Sequence, residues 1–554
     1  MDVSRSHYHH PTPWDTQFTP VTLPDMFART AEVRGEAAFL QFLGRTYTYS
    51  EVFAEAQGFA AGLVSAGISP GDRVGLFLPN VPIYASAYYG AMMAGAIVVN
   101  FSPLYSVEEL SWQVADSGTK LLVTVDVPEL FQTASEVLAA SDLETLVVGS
   151  LADMLPTLKG LAFKLLKRDQ IAKVNFGNTI KRWNEVARTG QPVPLIPVTA
   201  EDVALLQYTG GTTGRPKGAM LTHANLSVNA QQVVAINPFE DPSTEVFMGA
   251  LPFFHVFANT ALLNHAVASG ASIAMVPRFD AGQVLKTIAR HKATGFPGVP
   301  TMFQALLDHP DLAKTDLSSL KVCISGGAPM PAPVHEKFEA VTGVRLVEGY
   351  GLTESSGVVS ANPYEGTRKR GTIGQPVAGT ELLLLDKGDH TQLAPEGEPG
   401  ELAVHGPQVM RGYWNRPEAS ADVLIERDGK VWLRTGDVAV IDEDGYLKIV
   451  DRIKDMITVG GFKVFPSQVE DVLLQNDAVK EALVIGVPDD YRGEVPRAFV
   501  TLNSDATATA EDLRDWLNDH VGKHERVDEV VIRESLPKTL IGKLDRKALR
   551  AEVL

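Results

Sequence analysis

The chain has 554 residues, of which 45% are hydrophobic and 21% charged, a length that predicts about three or four domain-sized units. Its 47 Gly, 34 Pro and single Cys are ordinary for a globular protein and exclude collagen-like, disordered and disulfide-stapled classes. The formal net charge of -18 argues against a nucleic-acid partner, because the overall charge includes no excess of cations to neutralise phosphates.

The first part of the chain, residues 1–20, is polar and lacks the charged start and apolar run of a secretory signal. No stretch reaches about 18 uninterrupted apolar residues, the length that a membrane-spanning helix needs. The lone cysteine, Cys323, cannot form an internal disulfide and suits a reducing compartment. We therefore expect a cytoplasmic protein.

Short apolar, β-branched runs alternate with longer amphipathic stretches through most of the sequence. This alternation predicts an α/β protein with parallel sheets covered by helices. The predicted strands are Arg73–Leu78, Ala96–Val99, Lys120–Val125, Thr145–Val148, Val203–Tyr208, Ala271–Val276 and Lys321–Ile324. The predicted helices include Tyr49–Gly67, Val107–Ser117 and Gln283–His291.

After about Ile373 the pattern changes to short strands separated by turn residues, which predicts a separate β-rich unit. The sequence Asp-Glu-Asp-Gly at 442–445 predicts a hairpin turn. From Met456 onward strands and helices alternate again, so boundaries are predicted near residues 370 and 453. The predicted strands of the β-rich unit are Glu381–Leu385, Gly400–His405, Lys430–Arg434, Val438–Ile441 and Tyr446–Val450.

Residues 151–175 form a basic amphipathic segment. A helix here places leucines on one face and cations beside them, a pattern that suits a membrane interface. A surface helix packed on its own domain explains the same pattern, and Pro156 and Gly160 weaken any helix. The apolar face consists of Leu151, Leu155, Leu158, Ala162 and Leu165, and the cations are Lys159, Lys164, Lys167 and Arg168.

The strongest motif is the glycine- and threonine-rich loop that follows the strand ending at Tyr208. Glycines let backbone N–H groups converge on an anion, hydroxyls add donors and a lysine adds charge, so the loop predicts a phosphate site. It differs from a Walker loop, which has Lys and Ser/Thr directly after Gly. The candidate residues are Thr209, Gly210, Gly211, Thr212, Thr213, Gly214 and Lys217.

Further candidates follow other predicted strands. The run Glu348–Ser355 combines glycines, an aromatic ring, a hydroxyl and a carboxylate that suits Mg²⁺, and 325–329 is a second glycine-rich turn. Asp437 ends a strand, where a carboxylate can bind a ribose diol. Lys543 follows a glycine near the end of the chain, and a lone lysine there is usually solvated. His255 lies in an apolar run, where a buried core histidine is commoner than a catalyst.

Together and in this order, these motifs resemble the adenylate-forming superfamily of acyl-CoA synthetases, luciferases and peptide-synthetase adenylation domains. The resemblance runs from about residue 25 to the end and is strongest to bacterial long-chain fatty acid–CoA ligases, whose signature resembles 428–455. It implies a large N-terminal AMP-binding domain at 1–453 with a β-barrel-like subdomain at about 374–453. A small mobile α+β domain at 455–554 follows, with a hinge at Lys454.

The resemblance also implies roles for individual residues. The loop from Thr209 to Lys217 holds the β- and γ-phosphates of ATP, and Lys543 bridges carboxylate and α-phosphate. His255 joins the candidate catalytic residues. The remaining implied sites are the adenine frame at Gly326, Gly327, Ala328, Glu348, Gly349 and Tyr350, the α-phosphate ligand Thr353, the Mg²⁺ ligand Glu354, the ribose ligands Asp437 and Arg452, and the pantetheine passage at Gly460 and Gly461.

The activity that the resemblance implies is ligation of a medium- to long-chain fatty acid to coenzyme A through an acyl-adenylate, with ATP and Mg²⁺. An aryl- or short-chain acyl-CoA ligase and a non-catalytic lipid-binding relative stay open as alternatives. It is also left open whether 151–175 contacts the inner face of the membrane. The oligomeric state, including a homodimer, is left open as well. One subgroup has a gating Trp where this chain has Asn259, so that gate is not assumed.

Overall fold

The computed structural model describes residues 7–188, 196–209, 215–460, 462–504, 506–539 and 542–554. Over these ranges the chain forms four sheets with helices packed between and around them. The α/β expectation is confirmed. The helices are Leu23–Arg34, Tyr49–Ser65, Pro82–Met93, Val107–Ser117, Pro128–Ala140, Thr157–Leu166, Trp183–Val186, His223–Ile236, Val256–Ala258, His265–Ser269, Ala281–His291, Pro300–Leu307, Ala332–Thr342, Pro417–Val423, Pro466–Leu473, Ala510–His520 and Arg546–Val553.

One sheet has eight strands and is mostly parallel. The strands Val203–Thr209 and Lys217–Thr222 pair antiparallel, with Thr209 opposite Lys217, and Lys217–Thr222 also pairs antiparallel with Gly412–Tyr413. In spatial order the strands are Gly412–Tyr413, Lys217–Thr222, Val203–Thr209, Ile97–Phe101, Arg73–Phe77, Thr119–Val125, Thr145–Gly149 and Ile180–Arg182.

A second sheet has nine strands, parallel through its centre and antiparallel at both edges. A single apolar core joins the two sheets through helices such as Pro82–Met93, which is buried along nearly all of its length. A helix that is apolar all round is typical of such a central position. In spatial order the strands are Gln375–Pro376, Ser360–Ala361, Leu346–Tyr350, Val322–Gly326, Gly295–Gly298, Val246–Gly249, Ser272–Met275, Ala38–Phe42 and Arg45–Thr48.

Two five-stranded sheets complete the fold, and the bounds predicted from sequence agree closely with the first of them. The two strands predicted on either side of 435–437 are one long strand, and its hairpin turn closes with Gly445 N donating to Asp442 O over 3.0 Å. The middle sheet contains Glu381–Leu385, Gly400–His405, Leu424–Arg427, Lys430–Ile441 and Leu447–Arg452. The C-terminal sheet contains Ile457–Val459, Phe462–Val464, Val479–Asp489, Gly493–Leu502 and Glu529–Ile532.

The segment 151–175 is broken into short pieces. A turn at Leu151–Met154 precedes the helix Thr157–Leu166, and a second turn covers Arg168–Gln170. The prediction of one helical face from residue 151 to 165 is therefore wrong, because Leu155 precedes the helix and is buried. Among the described residues, no helix is long and apolar enough to cross a membrane.

An N-terminal strap, residues 7–19, lies across the junction of the nine-stranded and middle sheets. His9 N donates to Gln375 Oε1 over 2.9 Å, and Trp14 Nε1 donates to Thr380 O over 3.0 Å. Both contacts join residues 366 positions apart in the chain. The strap was not anticipated from its polar, irregular sequence.

Candidate active site

Two glycine-rich turns lie side by side at one edge of the nine-stranded sheet. The strands Val322–Gly326 and Leu346–Tyr350 run parallel, with Gly326 opposite Gly349. The carboxyl ends of parallel strands form the usual ligand crevice of open α/β sheets. The next residue, Gly327, has a φ of +84°, a conformation that favours glycine.

The side chain of Glu348 joins two loops beside this crevice. Its carboxylate accepts hydrogen bonds from Met330 N over 3.2 Å and Gly371 N over 3.3 Å. Burial raises the pKa of Glu348 to about 7. The Glu348 carboxylate therefore fixes the backbone of the loop that contains Ala328 and Met330.

Asp437 and Arg452 are brought together as predicted. They face each other across the strands Lys430–Ile441 and Leu447–Arg452. Arg452 Nε donates to Asp437 Oδ1 over 2.8 Å, and Tyr350 OH donates to Asp437 Oδ2 over 2.5 Å. Each carboxylate oxygen has a second lone pair, so Asp437 can still accept hydrogen bonds from a diol.

A second polar group forms around Glu354, which lies with Thr353 in a 3₁₀ turn. Tyr413 OH donates to Glu354 Oε1 over 2.6 Å. The same Tyr413 ring lies 5.1 Å from Lys217 Nζ, a cation–π contact. The predicted magnesium ligand Glu354 and the predicted phosphate ligand Lys217 thus share one neighbour. Gly210, Gly211, Thr212, Thr213, Gly214 and Gly461 lie outside the described residues.

Lys543 extends from the C-terminal turn into a small cavity that it shares with His255, Gly327 and Val299. Its tail lies so close to Gly327 that a Cβ on that glycine would sit 2.6 Å from Lys543 Cε. Burial, with a smaller contribution from Arg452, lowers the pKa of Lys543 to about 8, and Asp437 opposes the shift. The lysine is therefore part of a built cavity and not solvated surface.

His255 is half-buried and lines the same cavity as Lys543. Burial and the Lys543 charge lower the pKa of His255 to about 3, so the ring is neutral at ordinary pH. Its Nδ1 accepts a hydrogen bond from Phe257 N over 3.2 Å and caps the helix Val256–Ala258. His255 thus positions the start of that helix and presents a neutral imidazole to the cavity.

The predicted hinge, Lys454, lies in the 3₁₀ turn Ile453–Asp455 between the middle and C-terminal sheets. Burial, with a smaller contribution from Arg452, lowers its pKa to about 8. Beyond the turn, Ser467 N donates to Asp451 Oδ2 over 2.8 Å, which joins the helix Pro466–Leu473 to the middle sheet. Gly460 has a φ of +55° in the turn after Ile457–Val459.

Two residues near the site escaped the sequence analysis. Tyr413 contacts both Glu354 and Lys217, and its two-residue strand pairs with Met220 and Ala219. Phe257 lines the cavity that contains Lys543. The Gly-Tyr-Trp sequence at 412–414 was the local feature that could have drawn attention to Tyr413.

Comparison with family models matches residues 27–414 to the AMP-binding enzyme family and residues 468–543 to the AMP-binding enzyme C-terminal domain. The chain belongs to the AMP-binding enzyme family. The first match covers the glycine turns, Glu354 and Lys217, and the second extends to Lys543. The site therefore combines residues from both matched regions of this AMP-binding enzyme.

Three relatives illustrate the similarity of this AMP-binding enzyme to known proteins. A long-chain-fatty-acid–CoA ligase of Bacillus subtilis (strain 168) is 39% identical over 99% of this chain and 97% of its own length. A feruloyl-CoA synthase of Amycolatopsis sp. is 36% identical over 94% of this chain and 97% of its own. The crystal structure of the anthranilate CoA ligase AuaEII with anthranoyl-AMP superposes with a TM-score of 0.84 at 28% identity, covering 97% and 98% of the two chains.

Proposed function

We propose that this AMP-binding enzyme ligates a medium- to long-chain fatty acid to coenzyme A in two steps, using ATP and forming an acyl-adenylate between them. The main support for the proposal is that Lys543 packs against Gly327, next to the Asp437–Arg452 pair. A cation therefore lies beside the two glycine-rich turns and the Asp437–Arg452 pair, which supports the proposal. The similarity to the Bacillus subtilis ligase supports the choice of a fatty acid.

In the first step, a carboxylate oxygen of the fatty acid attacks the α-phosphorus, and the bond from that phosphorus to pyrophosphate breaks. Lys543 lies where its ammonium can hold both the carboxylate and the α-phosphate oxygens. Asp437 binds the ribose, and Lys217 with the loop it closes binds the outer phosphates. Charge-assisted contacts that strengthen as charge develops lower the barrier most.

Glu354 is the carboxylate that we propose for Mg²⁺. Magnesium commonly takes one or two protein carboxylates and completes its shell with phosphate oxygens and water. The Tyr413 hydroxyl occupies one side of the Glu354 carboxylate and leaves its other oxygen available. When bound, the metal would supply charge neutralisation on the phosphates.

In the second step, the coenzyme A sulfur attacks the acyl carbonyl, the carbonyl–AMP bond breaks, and the thiol proton leaves to solvent. Lys543 fills the space beside Gly327 in the present arrangement, so the thiol needs that space cleared. We place the division between a domain at 1–453 and a mobile domain at 455–554, with Lys454 as the hinge. Rotation there withdraws Lys543 and presents the turn at Gly460.

The proposal is tested by acid-dependent exchange of labelled pyrophosphate into ATP, followed by thioester formation with coenzyme A. We expect both activities with dodecanoate or hexadecanoate. Activity with ferulate or acetate alone would favour the aryl- or short-chain alternative. Absence of exchange with every acid, in protein that binds ATP, would favour a non-catalytic lipid-binding relative.

We further propose that the helix Thr157–Leu166 contacts an anionic membrane, where the fatty acid concentrates. Four of its leucines are exposed: Leu158 by 83%, Leu161 by 56%, Leu165 by 57% and Leu166 by 78%. Lys167 and Arg168 follow directly and complement an anionic surface, at about 1 kcal/mol for each cation. Lys164 pairs with Asp153 over 2.6 Å, so its contribution to membrane attraction is smaller. The net charge of the whole chain is -18, which opposes contact of other parts of the surface with an anionic membrane.

Vesicle co-sedimentation tests this contact. A variant with Leu158→Ser and Leu165→Ser should lose binding to phosphatidylglycerol-containing vesicles, because about 1.5–3 kcal/mol accompanies each buried leucine. The matched control is Val33→Ser with Leu104→Ser, which changes exposed apolar residues elsewhere. Equal binding by both variants would contradict the proposal, and loss of a dimer in place of loss of vesicle binding would assign the patch to a second copy of the chain.

A further inference from the structure

Arg546 begins the helix Arg546–Val553, directly after the turn that carries Lys543. Its side chain is only 15% exposed, although an arginine stays charged at any ordinary pH. A guanidinium that is withdrawn from water needs a partner for each of its donors, because an unpaired buried charge is costly. No step of the proposed reaction uses Arg546, so its partners indicate what it does.

The guanidinium of Arg546 has a different partner at each of its three nitrogens. Nε donates to Val484 O over 3.0 Å, Nη1 donates to Asp455 Oδ2 over 3.1 Å, and Nη2 donates to Glu470 Oε1 over 2.6 Å. One side chain therefore holds three separate segments of the chain. These segments are the edge strand Val479–Asp489, the turn Ile453–Asp455 and the helix Pro466–Leu473.

Glu470 makes this junction rigid. Its Oε1 also accepts a hydrogen bond from Val484 N over 2.6 Å. The N–H and the C=O of Val484 are thus bonded to the two members of one ion pair, Glu470 and Arg546. Several charge-assisted contacts in fixed geometry restrict motion more than a single exposed ion pair does.

The contact with Asp455 reaches the proposed hinge, because Asp455 ends the 3₁₀ turn in which the hinge residue lies. The turn that carries Lys543 is closed directly before Arg546, where Asp545 N donates to Pro537 O over 2.8 Å. Arg546 therefore connects the hinge turn with the turn of Lys543. More than eighty residues separate these two turns in the sequence.

Gly460, which we propose for the second step, needs no such connection. It follows Asp455 within a few residues, so chain continuity carries it with any rotation at the hinge. Lys543 follows the rotation only as far as side-chain contacts transmit it. A misplacement of about 1 Å can cost on the order of 100-fold in rate, so a looser junction would affect adenylation first.

We propose that Arg546 is a positioning residue that ties the hinge turn, through Asp455, to the turn of Lys543. It ensures that the lysine reaches the nucleotide crevice whenever the C-terminal domain rotates into the adenylating arrangement. Arg546 touches no substrate in this role and acts through Lys543. The inference rests on the proposed two-step ligation and adds the residue that fixes the geometry of its first step.

The test measures both half-reactions in Arg546→Lys, which keeps the charge but cannot hold three partners with one nitrogen. We expect kcat for acid-dependent pyrophosphate exchange to fall about 10- to 100-fold, with KM for ATP within about twofold, because only the placement of Lys543 changes. Thioester formation from supplied acyl-adenylate should stay within about twofold. The alkaline fall of exchange should move above pH 8, since a loosely docked Lys543 is less desolvated.

Two further variants sharpen the test. Asp455→Ala removes only the contact with the hinge turn and should give the same selective loss of exchange. In the double variant the two losses should be less than multiplicative, because both changes act on one contact. The matched control is Arg533→Lys, which alters an arginine that pairs with Glu552 over 2.6 Å near the other end of the same helix. It should keep wild-type rates in both half-reactions.

Thermal melts check that each variant is folded, and if Arg546→Lys does not fold, Asp455→Ala decides. Equal loss in both half-reactions, an equal loss in the Arg533→Lys control, or unchanged exchange in the folded variants would overturn the inference. A wild-type protein without acid-dependent exchange would instead overturn the proposed function itself.

Discussion

The nucleotide crevice and the C-terminal lysine are held in different ways. In the crevice, Tyr350, Asp437 and Arg452 are joined by two hydrogen bonds on strands of two sheets. Lys543 arrives from a turn beyond the C-terminal sheet, packs its tail on Gly327 and has its pKa lowered by burial. Under the proposed mechanism, the crevice would act in both half-reactions, whereas the lysine would act only in the docked arrangement.

The largest expected effect is that of Lys543→Ala on adenylation. Removing one charge-assisted transition-state contact should reduce acid-dependent pyrophosphate exchange by about 10²–10³. Thioester formation from supplied acyl-adenylate should be nearly unchanged. The control is Lys538→Ala in the same segment, whose Nζ pairs with Glu481 over 2.6 Å. Equal loss in both half-reactions would contradict a role for Lys543 that is confined to adenylation.

Lys454→Pro should have the opposite selectivity. Proline fixes φ near the value of a 3₁₀ turn, so the present docked arrangement is tolerated. Rotation about Lys454 would require a φ that proline does not adopt, so the rate of thioester formation should fall steeply. Lys454→Ala is the control that keeps backbone freedom. Near wild-type thioester formation by the proline variant would place the pivot elsewhere.

Asp437→Ala should weaken both half-reactions, in contrast to the two lysine variants. It removes the acceptor proposed for the ribose and leaves Arg452 and Tyr350 without their shared carboxylate. The loss of hydrogen bonds to a charged group predicts roughly 10- to 100-fold in kcat/KM for ATP. Steady-state kinetics of each half-reaction measure this, and a loss confined to one half would contradict a role in nucleotide binding.

The smallest effect concerns pH. Burial lowers the pKa of Lys543 to about 8, below the ordinary lysine value, so the docked lysine loses its proton as pH rises through 8. Adenylation should fall about twofold between pH 7 and pH 8 and further above it, while thioester formation from acyl-adenylate does not follow this profile. Lys543→Arg should remove the alkaline fall, because arginine stays charged. A flat profile in the wild type would show that bound substrates restore the lysine pKa.

Strand bounds and the order of the site motifs could be predicted from sequence because they depend on local patterns. Apolar runs followed by glycine mark strand ends, and Gly326 and Gly349 lie in the last two positions of their strands. Asp437 was also predicted at a strand end, which is wrong, because the strand Lys430–Ile441 continues past it. Contacts such as Tyr413 with Glu354 join residues far apart and leave no periodic signal. The proposed roles of these residues stay predictions that the half-reaction assays address.

Two segments that were predicted wrongly show why other parts of the fold and the site could not be predicted from sequence. The leucine pattern of 151–165 has helical spacing, but Pro156 starts a new helix, so the apolar positions divide between a buried turn and an exposed face. Lys543 looked like solvated surface because its burial depends on Gly327, more than two hundred residues earlier. In both cases tertiary packing decided the outcome.

The N-terminal strap has a consequence for how the protein is made. Because His9 and Trp14 bond to Gln375 and Thr380, these two residues leave the ribosome before their partners, which are synthesised 366 positions later. At about 5–20 residues per second that delay lasts roughly 20–70 seconds. We therefore expect the strap to dock late during synthesis. By then the chain already contains all strands of the two large sheets that precede Thr380.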